Sequence, residues 1–176
     1  MAPVPALVVA GPAGSGKSTV GAALAEALRI PFIEGDDLHP PANIIKMTAG
    51  EPLTDTDREP WLRRVGETLA AHPQGVVASC SALRRSHRAV LVSRCPTALF
   101  IVLEVPAEKL WERLAARTGH FMRADMLDSQ LATFESYSDE ERHLRVDATQ
   151  PLPALVETIV RTIADVPAAA RGSHRP

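Results

Sequence analysis

Short, nearly continuous apolar runs alternate along the chain with segments whose apolar residues recur at helical spacing. The apolar runs cover residues 6–10, 31–34, 76–80, 98–105 and 143–147. The longest of them are typical of parallel strands that are buried on both faces. Helical patterns come between the runs, so the order predicts an α/β domain with a parallel sheet and right-handed crossovers. Such a sheet binds its ligand at the carboxyl ends of its strands.

Two prolines indicate where helices begin. Pro60 fits the first turn of a helix, and Thr56 with Glu59 fits a capping box just before it. Pro106 opens a second helix in the same way. The stretch from 35 to 58, between the second apolar run and the helix at Pro60, has proline, glycine and polar residues in no regular pattern. It is therefore not expected to be one element.

Composition and charge narrow the class of protein. The chain of 176 residues fits one domain, which we place at 1–168, with 169–176 as a polar tail. A net charge of −2 provides no basic field for a nucleic acid. Cys80 and Cys95 are too few for a disulfide framework and lack zinc-site spacing. No apolar run approaches the roughly 20 residues of a membrane span, so we expect a cytoplasmic protein without a membrane partner.

Residues 11–18 match the pattern GxxxxGK[ST] between a predicted strand and a predicted helix. The glycines let successive backbone N–H groups point at phosphate oxygens, and the helix N-terminus adds positive charge. Lys17 is expected to reach the β- and γ-phosphates of ATP, and Ser18 to ligate Mg²⁺. The predicted nucleotide-binding residues are Gly11, Ala13, Gly14, Ser15, Gly16, Lys17, Ser18 and Thr19.

A phosphate loop alone is compatible with a GTPase, a motor, a transport ATPase or a small-molecule kinase. The only asparagine, Asn43, is followed by Ile44, so the guanine-reading motif NKxD is missing and a GTPase is disfavoured. The third apolar run, 76–80, does not end in the aspartate that usually assists the magnesium ion. Mg²⁺ must then rely on Ser18, phosphates, water and acids from another strand.

An acidic turn follows the second apolar run. If the chain stays extended, alternation places Glu34 and Asp36 on the same side, near the phosphate loop. One carboxylate could orient a substrate hydroxyl and take its proton, while the other holds Mg²⁺ through water. His39, Lys46 and Arg58 follow among turn residues, which suggests a pocket for an anionic, hydroxylated acceptor.

A later segment has the features of a lid. Arg113 and Arg117 lie one turn apart on one helical face and are followed by Gly119. A cation next to a glycine hinge suits a segment that closes over ATP and neutralises charge on the transferring phosphoryl group. The remaining histidines show no metal-ligand spacing and no acidic partner, and are expected to be structural or surface residues: His72, His87, His143 and His174.

Several strings outside the phosphate loop are far more selective than the loop itself. They are EGDDLHP at 34–40, NIIKM at 43–47, GEPLTDTDREPWL at 50–62, CSAL at 80–83, RTGHFM at 117–122 and the pair Ser129-Gln130. On these strings the chain resembles the gluconokinases, small phosphate-loop kinases related in fold to shikimate and nucleoside monophosphate kinases. The resemblance extends from the phosphate loop to about Asp147.

The resemblance implies a fold, an activity and a set of site residues. The fold is a three-layer P-loop NTPase with a five-stranded parallel sheet in the order 2-3-1-4-5. The activity is Mg²⁺- and ATP-dependent phosphorylation of the 6-hydroxyl of D-gluconate by a cytosolic dimer. The implied acceptor-binding segment is about 37–60 and the lid about 117–130. The implied catalytic residues are Lys17, Asp36 and Arg117, and the implied gluconate-binding residues are Asp36, His39, Lys46, Arg58, His120 and Gln130.

The sequence departs from the family pattern at two positions, and two functions other than gluconate phosphorylation stay open. Glu34 stands where aspartate is frequent, and His87 stands where tyrosine is usual. The alternatives are a kinase for another small hydroxylated acid, such as shikimate, and a nucleotide-binding switch without catalysis. The pair Lys17-Ser18 together with Asp36 and Lys46 argues against a switch, because a switch needs no second pocket.

Overall fold

A computed structural model describes residues 5–116 and 122–165. Five strands and seven α-helices lie within these ranges. In chain order they are β1 (Ala6–Ala10), α1 (Lys17–Leu28), β2 (Phe32–Ile33), α2 (Pro41–Thr48), α3 (Asp55–Ala70), β3 (Val76–Ser79), α4 (Arg85–Arg94), β4 (Leu99–Glu104), α5 (Ala107–Ala115), α6 (Met122–Thr133), β5 (His143–Asp147) and α7 (Leu152–Asp165). A 3₁₀ helix, Gly35–Leu38, follows β2.

The strands form one parallel sheet in the order β2-β3-β1-β4-β5, which confirms the predicted topology. The central strand β1 is buried along its whole length, as a strand covered by helices on both faces must be. Its residue Val8 is in register with Ala78 of β3 and Phe100 of β4. The loops that follow β1, β2 and β3 therefore start from the same edge of the sheet.

Two apolar layers hold the helices on this sheet. On one face, Val8 packs in a cluster with Trp61 and Leu62 of α3 and Leu91 of α4. On the other face, Leu7 and Val9 pack in a cluster with residues of α1 and α7, including Leu24 and Ile159. The alternation along β1 thus sends neighbouring side chains into opposite layers, which makes the sheet a rigid base for the loops at its carboxyl edge.

The start of α3 differs from the sequence prediction. Its capping box joins Thr54 and Asp57: the Thr54 hydroxyl accepts from the Asp57 N–H at 3.2 Å, and an Asp57 carboxylate oxygen accepts from the Thr54 N–H at 2.9 Å. The predicted box of Thr56 and Glu59 is wrong. Pro60 consequently lies inside the helix. Because proline has no backbone N–H, the Thr56 carbonyl lacks the helical hydrogen bond that another residue at position 60 would donate.

The structure also bears on the predictions for the stretch 35–58, the cysteines and membrane-spanning segments. The stretch 35–58 is not one element, as predicted, because it is divided among the 3₁₀ helix, α2 and the first turn of α3. Both cysteines are buried free thiols, as predicted. Within the described ranges, no helix combines the length and apolar character needed to span a membrane. The predicted tail 169–176 lies outside the described residues.

Candidate active site

The phosphate loop connects β1 to α1. Gly16, the residue before the helix, has φ 95°, a left-handed conformation that glycine adopts without strain. No acidic side chain occupies the first turn of α1. Ser18 and Thr19 are exposed in that turn. The free N–H groups and positive dipole end of this 12-residue helix therefore form an anion-binding site.

The Pro12 carbonyl accepts three hydrogen bonds inside the loop. The Lys17 ammonium donates to it at 3.0 Å, and Ser15 donates through its hydroxyl at 2.8 Å and its N–H at 3.2 Å. Ser15 is almost fully buried, so this arrangement belongs to the interior of the loop rather than to its surface. The loop thus has a defined shape that includes its lysine.

Helices α5 and α6 brace the loop from outside. The Ala13 N–H donates to the Gln130 side-chain oxygen at 2.7 Å. Arg113 donates to the carbonyls of Gly14 and Ser15 at 3.4 and 3.3 Å and to that of Ala148 at 2.8 Å. The guanidinium of Arg113 is therefore engaged with backbone, whereas a role in the lid was expected for it. Arg117 and His120, the other cationic candidates of the lid, lie outside the described residues.

The residues near the loop fit a magnesium ion that is held mainly by phosphates. The described residues contain no group of three or more His, Cys, Asp or Glu side chains that could hold a metal. The Ser18 hydroxyl is exposed at the helix start and supplies one hard oxygen donor, which suits Mg²⁺. At the end of β3, the Ser79 hydroxyl donates to Glu34 and accepts from the Gly35 N–H. Glu34, the residue after β2, thereby lies at the end of β3, where the usual aspartate is missing.

The acidic turn does not continue the strand. The chain leaves the extended conformation at Gly35 and forms a 3₁₀ helix. The prediction that Glu34 and Asp36 alternate along an extended strand is therefore wrong. A Cβ on Gly35 would lie 1.9 Å from the Ser79 carbonyl oxygen, so only glycine fits where this turn crosses β3. The Trp61 indole donates to the Gly35 carbonyl at 2.7 Å and fixes the turn from the other side.

His39 lies beneath the exposed Asp36 carboxylate. Its ring stacks on Trp61 with 4.1 Å between centroids, and its Nδ1 accepts from the Asn43 amide at 3.2 Å. That acceptor role leaves Nε2, 3.9 Å from an Asp36 oxygen, to carry the proton. Burial lowers the pKa of His39 against the opposing effect of Asp36, and Arg58 lowers it further. A neutral imidazole thus presents an N–H toward Asp36.

The two predicted acceptor-binding cations both face carboxylates at the start of α3. The Lys46 ammonium contacts the two Asp57 oxygens at 2.8 and 2.9 Å. Hydrogen bonds from Lys46, and then from Thr54, lower the pKa of Asp57 to about 2. Arg58 lies 3.6 Å from Asp55, and burial lowers the pKa of the Arg58 guanidinium. These ion pairs fix where the cations stand.

Sequence reasoning missed part of this cluster. Asp55 also accepts from Arg84 at 2.6 Å and lies 3.2 Å from the Nε2 atom of buried His87. The expectation that His87 has no acidic partner is therefore wrong; 32 positions separate the two residues, so local spacing could not reveal the pair. Asn43 was missed as well, although its amide also donates to the Asp57 carbonyl at 2.9 Å.

Cys80, the residue that follows β3, has a buried thiol. Burial raises the pKa of this thiol to about 12, against the smaller opposing effect of a backbone hydrogen bond from Ala82. The described site consists of a phosphate loop, an exposed acid and a cation cluster on one sheet edge, which together define a phosphate-loop kinase of a small molecule.

Comparisons with known proteins specify the family. The shikimate kinase family model matches residues 13–164. A gluconokinase of Gluconobacter oxydans (strain 621H) is 44% identical over 160 residues, which cover 88% of this chain and 89% of the relative. The thermoresistant gluconokinase of Escherichia coli (strain K12) is 40% identical over 160 residues, with coverage of 89% and 91%. The chain belongs to the gluconokinase family, which confirms the resemblance noted in the sequence.

A solved structure agrees with this assignment. The crystal structure of a gluconokinase from Sinorhizobium meliloti 1021 superposes with a TM-score of 0.86 at 46% identity. The superposition covers 96% of this chain and 97% of the other. The protein is thus a kinase whose whole described fold is shared with this relative.

Proposed function

We propose that the protein transfers the γ-phosphoryl group of ATP to the 6-hydroxyl of D-gluconate, giving 6-phospho-D-gluconate and ADP. The observation that carries the proposal is the exposed Asp36 carboxylate beside a neutral His39 and a cation cluster, on the sheet edge that also bears the phosphate loop. The activities of the gluconokinase relatives support the same substrate.

On the nucleotide side, residues 11–19 would hold the phosphates through backbone N–H groups and the start of α1. Lys17 would keep its hydrogen bond to the Pro12 carbonyl and use its other N–H donors for the β- and γ-phosphates. Ser18 would ligate Mg²⁺, and Glu34 would contact it through water. When bound, Mg²⁺ neutralises the charge of the β- and γ-phosphates. Arg117 in the lid segment, 117–130, would add positive charge near the transferring group.

On the acceptor side, residues 37–60 would form the binding segment. Asp36 would orient the 6-hydroxyl and accept its proton as the phosphoryl group arrives. The His39 N–H, 3.9 Å from an Asp36 oxygen, would favour an orientation of the carboxylate toward it. Lys46 and Arg58 would bind the carboxylate and hydroxyls of gluconate, with their acidic partners keeping them in position. His120 and Gln130 are carried over from the family resemblance as further candidates.

A coupled assay of ADP release tests the proposed substrate. We expect turnover with gluconate and far lower rates with shikimate, other sugar acids and nucleoside monophosphates. Turnover of shikimate or AMP with gluconate inert would refute the assignment. ADP release that does not depend on any acceptor would instead favour the nucleotide switch.

Replacement of the proposed base tests the mechanism. We expect Asp36→Asn to lower kcat by about 100-fold or more, because the amide cannot accept the hydroxyl proton, while nucleotide affinity is kept. The exposed neighbour Asp37 provides a matched control, since Asp37→Asn makes the same chemical change one residue away. Equal effects of both changes, or an unchanged kcat in Asp36→Asn, would remove the catalytic role of Asp36.

We also propose, from the family resemblance, that the protein is a cytosolic homodimer. Light scattering coupled to size exclusion should then give twice the chain mass of 18.9 kDa. A mass of a single chain across the working concentration range would contradict the dimer.

A further inference from the structure

The peptide that joins Pro12 to Ala13 is held at both of its polar ends. Its N–H donates to the Gln130 oxygen at 2.7 Å. Its carbonyl accepts from the Lys17 ammonium at 3.0 Å and from Ser15. Because the N–H and C=O of a planar trans peptide point in opposite directions, bonds at both ends fix the rotation of this peptide about the chain.

The position of Gln130 is set by apolar packing. Leu127, one turn earlier on α6, is fully buried with Leu110 and Leu114 of α5. Ala13 of the phosphate loop packs against this same cluster. Residues three apart on a helix share a face, so the contact that anchors α6 also aims Gln130 at the loop. The amide is therefore held there by the fold, 117 positions away in sequence.

The residue type suits the contact. An acceptor on the Ala13 N–H polarises the peptide and makes the Pro12 carbonyl a better acceptor for the Lys17 ammonium. A lysine or arginine at position 130 could not accept this bond. A glutamate could accept it but would place a negative charge beside a triphosphate. A neutral side-chain carbonyl meets both requirements.

We propose that Gln130 is a positioning residue of the phosphate loop, which acts on Lys17 through the Pro12–Ala13 peptide. This inference rests on the proposed function, because it takes the loop to be the nucleotide site. It moves Gln130 from the acceptor pocket, where the family resemblance suggested it, to the nucleotide side. Arg113, which binds the Gly14 and Ser15 carbonyls, braces the loop from α5 in parallel.

The test is Gln130→Leu, which removes the oxygen at similar side-chain size. Titration calorimetry of Mg²⁺–ADP without gluconate measures nucleotide binding, and initial rates give both KM values. We expect the nucleotide Kd and the ATP KM to rise about tenfold, as for the loss of one hydrogen bond to a half-buried N–H. The gluconate KM should stay within about twofold of wild type. The control is Ala132→Ser, an exposed change on the same helix outside the lid segment, which should alter none of these constants.

A second variant separates the hydrogen bond from folding. Gln130→Glu keeps an oxygen of the same reach and adds a charge, so its nucleotide affinity should be low at low ionic strength and approach that of wild type at high salt. Gln130→Leu should remain weak relative to wild type at every salt concentration. Equal affinities of the two variants at high salt would overturn the proposal. If the leucine variant is partly unfolded, Gln130→Glu decides alone, because an affinity that stays low at high salt would overturn the proposal.

Two further results would also overturn the proposal. A raised gluconate KM with unchanged nucleotide binding would make Gln130 an acceptor ligand. Wild-type nucleotide affinity in Gln130→Leu would show that the loop holds its shape without the amide. If gluconate is not turned over at all, the proposed function fails, but the nucleotide titration still decides the role of Gln130.

Discussion

Arg88 provides a quantitative test of how the helical layer over the acceptor side is stabilised. Its side chain is 1% exposed and forms a paired contact with Glu141, at 2.5 and 3.1 Å. The guanidinium also lies 4.0 Å from the centre of the Tyr137 ring. In addition it donates to four carbonyls, those of Ala82, Leu83, Glu135 and Ser136. One cation therefore ties α4 to the segment before β5.

Arg88→Met keeps most of the volume and removes the charge. The Glu141 side chain, only 13% exposed, would then lack its cation. Loss of one partner of a buried ion pair costs about 3–5 kcal/mol, so we expect the free energy of unfolding to fall by about 4 kcal/mol. For a chain of this size, that corresponds to a decrease in Tm of about 8–16 °C.

The same pair predicts a dependence on pH. Burial is the largest single influence on the pKa of Glu141 and raises it. The hydrogen bonds from Arg88 and from the Ser138 N–H, together with the positive charges of Arg88 and Arg85, outweigh burial and lower this pKa below its usual value of 4.5. A lowered pKa stabilises the fold above 4.5 and loses that effect as pH falls. The difference between Arg88→Met and wild type should therefore be largest near pH 7 and shrink below about pH 4.5.

Urea unfolding followed by circular dichroism at pH 7 and pH 4 measures both effects. Arg85→Met is the matched control, because Arg85 lies on the same helix and pairs with Glu140 where both side chains are exposed. We expect this control to cost less than about 1 kcal/mol. A loss in Arg88→Met no larger than in the control would refute the reasoning.

Three further predictions concern the acceptor side. Lys46→Ala should raise the gluconate KM about tenfold at an unchanged ATP KM, because a charged hydrogen bond to the substrate is lost; initial rates with each substrate varied measure this, and an unchanged gluconate KM would leave Lys46 only as a partner of Asp57. Gly35→Ala should lower the Tm and kcat together, since the added Cβ meets the Ser79 carbonyl at 1.9 Å; a wild-type melting curve would contradict the close contact. Asp57, with its pKa lowered from 3.8 to about 2, stabilises the fold above about pH 4 and loses this effect toward pH 2. In Asp57→Asn, the free energy of unfolding should no longer fall between about pH 4 and pH 2 for this reason. A plot of that free energy against pH that runs parallel to the wild-type plot would contradict the prediction.

The sheet and the phosphate loop were predictable because their signals are local. Apolar runs, a glycine turn and a helical pattern lie next to one another in the sequence, and each reports its own element. The residues at which helices begin were harder to predict. Both Thr54 and Thr56 have an acid three residues later, so spacing alone could not choose the helix cap. The choice depends on Asp57, which closes the box at Thr54 while it also binds Lys46.

The acceptor side could not be predicted from local patterns, because its contacts join distant segments. Asp55 meets His87, and Ala13 meets Gln130, across long stretches of chain. The acidic turn illustrates a different limit. Period-two alternation holds only while a strand continues, and the close approach of Gly35 to β3 ends it. The residue types of the site were therefore identifiable, whereas their pairings required the fold.

The stacking of Trp61 on His39 has an optical consequence. The chain has two tryptophans, and each lies on a different side of the reaction. Trp61 is buried under the acceptor turn, whereas Trp111 packs with the α5–α6 cluster that contacts the phosphate loop. Replacing Trp111 by phenylalanine leaves Trp61 as the one emitter, so we expect its fluorescence to report the arrival of the sugar acid without an attached dye. Trp61→Phe would leave Trp111 to report the nucleotide, but this variant lacks the indole N–H that fixes the acceptor turn.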